Sequence, residues 1–329
     1  MSALPPAGRL GCGGDDAPFV HPLPPAAEVP ISRELVHGLL LEQHPDLAGR
    51  EIADPLEGFD MAVFRLGKDL AVRLPRHRGS VASLESEIRW VGTLGTRWTF
   101  PTQRIERVGV PGGEYPWPWA VTSWLPGELA ADRPLDASAA RPLGRALAQV
   151  HRPAPHDAPF NAEQSVRLAD REQVLRGVLP QLPAVGAARG LTLDLNAAAT
   201  MWRLALSVPD QAPRVWIHAD LHPFNVISLN GQFGGIIDWS DIAQGDPAVD
   251  LGFLRLLLPA AAMPTAHDGY GGVDEATAAR AQGIALIKAA TLAVVDKEVV
   301  ASIGWQTLVE LGVAQPSPIA APQGRRLRW

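Results

Sequence analysis

The chain has 329 residues, enough to bury a sizeable core as one large domain or two lobes. With 47% hydrophobic and 19% charged residues it falls outside the wholly disordered class, and a formal charge of -6 argues against a protein whose main business is coating nucleic acid. A single cysteine, Cys12, removes disulfide frameworks and multi-cysteine metal sites, and the longest apolar runs, such as residues 254–263, are too short for a bilayer, so the expectation is a soluble cytoplasmic protein without a membrane partner.

Residues 1–30 are rich in Pro and Gly and lack periodicity, which predicts a disordered extension. Ser32 is a candidate N-cap for a helix over ELVHGLLLEQH that Pro45 stops. Three short strands are expected at 51–56, 61–66 and 70–74, broken by turns at 57–60 and 67–69. In the third, alternation puts Ala71 and Arg73 on one face. A helix follows over 83–94, with Leu84, Ile88, Val91 and Leu94 as its apolar stripe and Gly95 as its cap. Glu87 lies on that stripe, and a carboxylate there needs a cation, for which Arg73 is the nearest candidate. Strands are expected at 104–110 and 119–124, and Pro126-Gly127 ends the strand-rich part. Beyond it helices are expected at 139–151, 168–178, 196–207, 247–258 and 275–311, and residues 315–329 read as a flexible tail. Asp246-Pro247 is a helix-start signal.

The segment VWIHADLHPFNVISLNGQFGGIIDWSDIAQGDPAVDL, residues 215–251, crowds His218, Asp220, His222, Asn225, Asp238, Asp241, Asp246 and Asp250 among short apolar runs. Buried charges in that density need partners or a metal. A strand at 215–217 and a hairpin turning at Asn230-Gly231 are expected, with Leu229 opposite Gln232 and Val226 opposite Gly235. Asn225 and Asp238 then emerge at the same open end, within the roughly 7–8 Å that diagonal neighbours span, a distance one hard cation bridges. The segment reads as a metal-and-base site. No phosphate-binding G-x-x-x-x-G-K-S/T run, G-x-S-x-G elbow, H-E-x-x-H pair or dinucleotide-binding G-x-G-x-x-G is present. H-A-D-L-H invites a metallohydrolase reading, but no further ligand sits in a motif-like setting, so His218 and His222 read as scaffold.

An Asp, an Asn five residues on and a further Asp after a hairpin form the phosphoryl-transfer constellation, here Asp220, Asn225 and Asp238, preceded by Arg73 and Glu87. The chain resembles the aminoglycoside phosphotransferase family, antibiotic- and small-molecule-kinase relatives of the protein kinases. The resemblance rests on FRLGKDLAVRLPR, SEIRWVGTL, YPWPWAVTSWLPGE, LGRALAQVHRPAPHDAP, VWIHADLHPFN and IIDWSDIAQGDPAVDL, and spans about residues 31 to 313. It implies an α+β, two-lobed protein-kinase-like fold. A small antiparallel-sheet lobe (31–124) would bind nucleotide, and a larger, mainly helical lobe (125–314) would carry the catalytic loop and acceptor site.

The resemblance also implies ATP and Mg2+ as cofactors and a small hydroxylated molecule as acceptor, an aminoglycoside or another antibiotic among them. Asp220 matches the catalytic aspartate, Asn225 and Asp238 the metal ligands, Arg73 the phosphate-contacting cation and Glu87 its helix partner. Ala71 matches the small residue under the adenine, and residues 121–124, with Ser123 and Trp124, match the hinge that reads the base. His218, Asp246 and Asp250 match positions that brace the catalytic loop. The departures are arginine rather than lysine at 73, the bulky Phe224 before Asn225, and Met61 beside the phosphate-covering turn at 58–60. Phe224 and Met61 motivate the alternative of a nucleotide-binding pseudokinase or regulatory module. Glu163, Asp170, Asp194, Asp241 and Glu275 are acidic candidates for the acceptor side, although such charges on helices are usually a solvated face. Nothing in the pattern sets an oligomeric state.

Overall fold

The computed structural model describes residues 25–210 and 213–317. Most of the extension expected over 1–30 and of the tail expected over 315–329 lies outside the described residues. Their inner ends are ordered. Glu28 donates its N–H to Arg76 O at 2.8 Å and accepts from the Arg78 N–H at 3.1 Å. At the other end a strand runs over Ala314–Pro316, so a free tail does not begin at 315.

Ser32 opens α1 (Arg33–Gln43) by accepting from the Leu35 N–H at 3.2 Å, as its position before an apolar stripe predicts. The chain then builds β1 (Leu56–Glu57), β2 (Met61–Leu66), β3 (Leu70–Pro75), α2 (Val81–Leu94), β4 (Ile105–Gly109) and β5 (Trp119–Ser123). The five strands form an antiparallel sheet in the order β1-β2-β3-β5-β4. The strand expected at 51–56 is reduced to a bridge between Ile52 and Leu66, because Pro55 has no N–H to extend the ladder. Register places Ala71 opposite Thr122 and Arg73 opposite Ala120, on the central strands. Val72 and Leu74 point the other way into a core with Val36, Leu40, Phe64 and Trp119.

The rest is mainly helical. It comprises β6 (Glu128–Leu129), α3 (Ala140–Val150), α4 (Glu172–Val178), α5 (Leu182–Ala188), β7 (Leu191–Leu193), α6 (Leu195–Ser207), β8 (Val215–Ile217), β9 (Val226–Leu229), β10 (Gln232–Ile236), β11 (Ala243–Gly245), α7 (Ala248–Leu257), α8 (Met263–Tyr270), α9 (Glu275–Ala293), α10 (Glu298–Glu310) and β12 (Ala314–Pro316). Pro126-Gly127 does not end the strands: β6 follows it and pairs with β9, while β12 pairs with β7. Helices α5 and α8 escape sequence periodicity because each spans only about two turns. The single helix expected over 275–311 is two. The weak helix formers Val294, Val295 and Asp296 interrupt it, and α10 folds back so that the Trp305 indole donates to Ala293 O at 2.9 Å.

Helix α9 is apolar on nearly every side because α6, α7 and α10 pack around it. Helices α3 and α8 approach closely through glycines. A Cβ on Gly144 would lie 2.1 Å from Ala266 O, and one on Gly269 would lie 2.5 Å from Arg141 O. That crossing brings His151, at the end of α3, to 2.9 Å from the Tyr270 hydroxyl. No helix among the described residues is long and apolar enough to cross a membrane.

Candidate active site

The hairpin of β9 and β10 carries one residue more than simple folding about Asn230-Gly231 predicts. Leu229 pairs with Gln232 as expected, but a bulge at Gly234 shifts the rest, so Val226 lies opposite Ile236 rather than Gly235. Gly235 (φ 140°) allows it: a Cβ there would sit 2.6 Å from Pro101 O. The open end still gathers the expected residues, because Ile237 N–H donates to Asn225 O at 2.9 Å and Asp238 follows directly.

Residues 101–103 fasten this end to the sheet lobe. Ile236 N–H donates to Pro101 O at 3.1 Å, Thr102 Oγ1 to Ile236 O at 2.9 Å, and the Trp239 indole to Thr102 Oγ1 at 2.8 Å. Gln103 is the joint, a role with no motif to announce it. Its Nε2 donates to Glu87 Oε1 at 2.8 Å, and its Oε1 accepts from the Asp238 N–H at 3.3 Å.

Arg73 and Glu87 form the expected pair, at 2.5 and 2.6 Å from one guanidinium nitrogen, with Glu87 wholly buried and Arg73 3% exposed. The other guanidinium nitrogen donates to Asp238 Oδ1 at 2.8 Å. Burial acts to lower the Arg73 pKa, but Glu87 and Asp238 outweigh it and hold the cation above its ordinary value. Glu85 is exposed, as its place off the stripe requires.

Directly before β9, the loop holding Asp220 to Asn225 is fixed by its own backbone and by Asp250. The Asp250 carboxylate, wholly buried, accepts from His218 N–H at 2.7 Å and Ala219 N–H at 3.0 Å, with His151 Nε2 3.1 Å away. Ala219 adopts φ 70° and Asp238 φ 58°, both in the left-handed region that non-glycine residues enter at a cost of about 1–3 kcal/mol. His218 Nδ1 accepts from Asp220 N–H at 3.3 Å and Nε2 lies 3.1 Å from Ile237 O, so both ring nitrogens are engaged and the proton sits on Nε2. Burial lowers the His218 pKa, consistent with a neutral ring. Asp246, expected to brace this loop, instead accepts from Ala248 N–H at 2.9 Å and from Arg280 Nε at 2.6 Å. It anchors α7 to α9, because proline at the start of α7 leaves its carboxylate facing that helix.

Asp220 is 5% exposed. His222 Nδ1 accepts from Phe224 N–H at 3.3 Å, which leaves its proton on Nε2, 3.1 Å from Asp220 Oδ2 but not aligned for a hydrogen bond to it. Burial would raise the Asp220 pKa, but His222 and, farther off, Lys288 outweigh it and hold the carboxylate below its ordinary range. His222 is thus more than scaffold: it faces the base. Asn225 Nδ2 donates to Asp220 O at 2.8 Å, which turns its amide oxygen outward. Phe224 does not displace Asn225. Its ring stands edge-on to His222 at 5.8 Å, and Lys297 Nζ lies 5.6 Å from its centroid.

These groups share one cleft of about 480 Å³ between sheet and helices. Ala71, Met61 and Val63 form its apolar side, residues 58–60 lie along its rim, and Asp220, Asn225 and Asp238 stand along the opposite wall. Ser123 and Trp124 also line it, but their N–H groups are spent on Arg104 O at 2.9 Å and Asp69 O at 2.7 Å.

The described residues hold no group of three His, Cys, Asp or Glu able to cage a metal. Two oxygen donors, one from Asn225 and Asp238 Oδ2, do fit a hard cation that brings its other ligands as water and phosphate. The sign of the local charge supports this. Burial raises the Asp241 pKa well above its ordinary value, and Asp220, Asp238, Asp60 and Glu163 push the same way. A carboxyl with a raised folded pKa stabilises the fold below its unfolded pKa and loses that contribution as pH rises. Asp241→Asn keeps an acceptor for the Asn161 amide, which lies 2.9 Å away. It is therefore expected to raise the Tm of the nucleotide-free protein at pH 8 and leave it unchanged at pH 4, as measured by calorimetry.

Among solved structures the fold is similar to the GDP complex of an aminoglycoside 2'-phosphotransferase-IIIa, with a TM-score of 0.62 and 16% identity, covering 85% of this chain and 98% of that one. It is also similar to a macrolide 2'-phosphotransferase from Brachybacterium faecium, with a TM-score of 0.52 and 21% identity over 82% of this chain and 97% of that one. The architecture is the α+β, protein-kinase-like fold. Residues 51–284 match the phosphotransferase enzyme family (APH), and the chain belongs to it. Curated relatives include the homoserine kinase of Gluconacetobacter diazotrophicus, 30% identical over 62% of this chain, and that of Gluconobacter oxydans, 33% identical over 37%. The chain matches 64% of the length of the first and 37% of the second.

Proposed function

We propose that the protein transfers the γ-phosphoryl group of ATP to a hydroxyl of a small molecule, with Asp220 as base. The observation that carries this reading is the convergence of Asp220, Asn225 and Asp238 with the Arg73–Glu87 pair on one cleft. Phosphoryl transfer asks little covalent work of the protein, so positioning and charge neutralisation dominate. Asp220 orients the acceptor hydroxyl and takes its proton as the new O–P bond forms and the bond to the leaving ADP oxygen breaks. Asn225 and Asp238 hold Mg2+, which when bound neutralises the phosphate charge. Arg73, kept ionised by Glu87, offers phosphate the guanidinium edge that now contacts Asp238.

In this assignment residues 31–124 carry nucleotide binding and 125–314 the acceptor. Ala71 leaves room for the base, and Leu125 supplies the N–H that Ser123 and Trp124 have already spent, while the Ser123 and Trp124 carbonyls act as acceptors. Use of ATP places the reaction in the cytoplasm. Antibiotics and amino-acid alcohols are the acceptor classes that the relatives' names suggest, and action on the first would confer resistance.

The test is an ATP-consumption screen with Mg2+ against amino sugars, macrolides and hydroxylated metabolites, run beside nucleotide-binding calorimetry. Phosphorylation of an acceptor is expected. Nucleotide binding without turnover on any acceptor would favour a regulatory module instead. Ala71→Leu is expected to weaken ATP binding about tenfold or more, equivalent to about 1.4 kcal/mol, with the nucleotide-free Tm nearly unchanged because the added atoms enter the cleft.

A further inference from the structure

The turn between β1 and β2 holds a buried ring that no core accounts for. Gly58 N–H donates to Met61 O at 2.9 Å, which leaves Phe59 and Asp60 at the tip. Phe59 is only 9% exposed, yet it belongs to none of the apolar cores among the described residues. It borders instead the cleft that Asp220, Asn225 and Asp238 share. Burial raises the pKa of the neighbouring Asp60, and Asp238 and Asp220 push the same way against His77, as befits a tip that overhangs the reacting end.

The tip does not hold itself. Two-residue hairpin tips favour positive φ, and neither Phe59 nor Asp60 adopts it. The linker after β3 supplies the constraint. Arg76 donates its N–H to Asp60 O at 2.8 Å, and its Nη1 to Gly58 O at 2.8 Å and Phe59 O at 3.4 Å. One residue thus engages the carbonyls of the whole turn. His77 Nε2 lies 2.9 Å from Asp60 Oδ1. The linker is fixed in turn by Glu28 and by the Tyr115 hydroxyl, which donates to Pro75 O at 2.8 Å.

Water competes with the acceptor in any phosphoryl transfer. Its oxygen forms the O–P bond, its proton passes to Asp220, and the bond to the leaving ADP oxygen breaks, giving ADP and inorganic phosphate. An ionised base serves water as well as an alcohol, so access to the cleft separates the two. Resting on the phosphotransfer reading above, we propose that Phe59 decides between acceptor hydroxyl and water. Strapped by Arg76 and His77, its ring covers the transfer end of the cleft from the sheet side and leaves the acceptor to enter from the helical side.

The test uses the full chain with Mg2+ and two readouts: inorganic phosphate released from ATP without an acceptor, and dissociation of mant-ADP in stopped flow. Phe59→Ala is expected to raise both rates about tenfold, a barrier change of about 1.4 kcal/mol. The nucleotide-free Tm should stay close to that of the parent, because the ring supports no core. Phe59→Leu, which keeps an apolar cover, should restore most of the parent behaviour. Arg76→Met, which releases the turn carbonyls and leaves the ring, should move both rates in the same direction as Phe59→Ala. A ring that merely supports the hairpin would instead lower Tm and weaken mant-ADP binding in both Phe59 variants, and that result overturns the proposal. Unchanged acceptor-free hydrolysis in Phe59→Ala, with transfer to an acceptor present in the parent, overturns it and leaves phosphotransfer standing. If mant-ADP binds but neither protein turns over ATP with any acceptor or with water, the phosphotransfer reading falls and release decides alone. Faster release from Phe59→Ala then upholds the cover, and unchanged release overturns it.

Discussion

Asp220→Asn is expected to lower phosphotransfer by about 10²–10⁴-fold, the usual contribution of a positioned base, with ATP affinity and Tm close to those of the parent protein. The amide keeps the volume and retains an oxygen for the Asn225 Nδ2 that lies 3.3 Å from the present carboxylate. It loses only the ability to take a proton. His222 and Lys288 hold Asp220 below the ordinary carboxylate range, so it is ionised above that range and protonates only as pH falls through its lowered pKa. The pH profile of kcat/KM should therefore carry no limb from this group between pH 5 and 8. Activity retained in Asp220→Asn, measured by single-turnover phosphorylation, would remove Asp220 from the base role without touching the fold.

Asp250→Ala is expected to destabilise the protein by about 3–5 kcal/mol, lowering Tm by about 5–10 °C. The wholly buried carboxylate satisfies the N–H groups of His218 and Ala219 and faces His151. Alanine would leave those donors unpaired in the core, next to a backbone already held at φ 70°. Asp250→Asn is informative as a companion. One amide oxygen still accepts, but the NH2 replaces the second acceptor and confronts an N–H, so the loss should be nearly as large. A loss under about 1 kcal/mol in denaturant titration for either variant would mean that the catalytic loop holds its shape without this clamp.

The two variants separate chemistry from scaffold, and the same division runs through what could be read from the residues. Asp220, Asn225, Asp238, Arg73 and Glu87 were legible because each stands in a local pattern: an H-x-D-x-x-x-x-N loop, a hairpin exit, an alternating strand, a helical stripe. Gln103 and His222 were not. Gln103 matters only because residues 101–103 bridge Glu87 to Asp238 across the cleft, and no spacing encodes that. From its spacing alone His222 reads as scaffold, since the direction of its Nε2 depends on the Phe224 N–H that Nδ1 accepts. Lys288 left one signal, a lone ammonium in the apolar run IALIKAATLA, whose weight becomes clear only once α9 is seen to be enclosed by α6, α7 and α10.

By itself the sequence determined the order of sheet then helices, the strand that carries Ala71 and Arg73, and the two ends of the hairpin. These follow from periodicity and turn chemistry within a few residues of each site. Only the tertiary structure decided the bulge at Gly234, the split of the last long helix at 294–297 and the diversion of Asp246 to Arg280. Each of those depends on contacts between residues far apart in the chain, where close packing and the pairing of buried charge outweigh local preference.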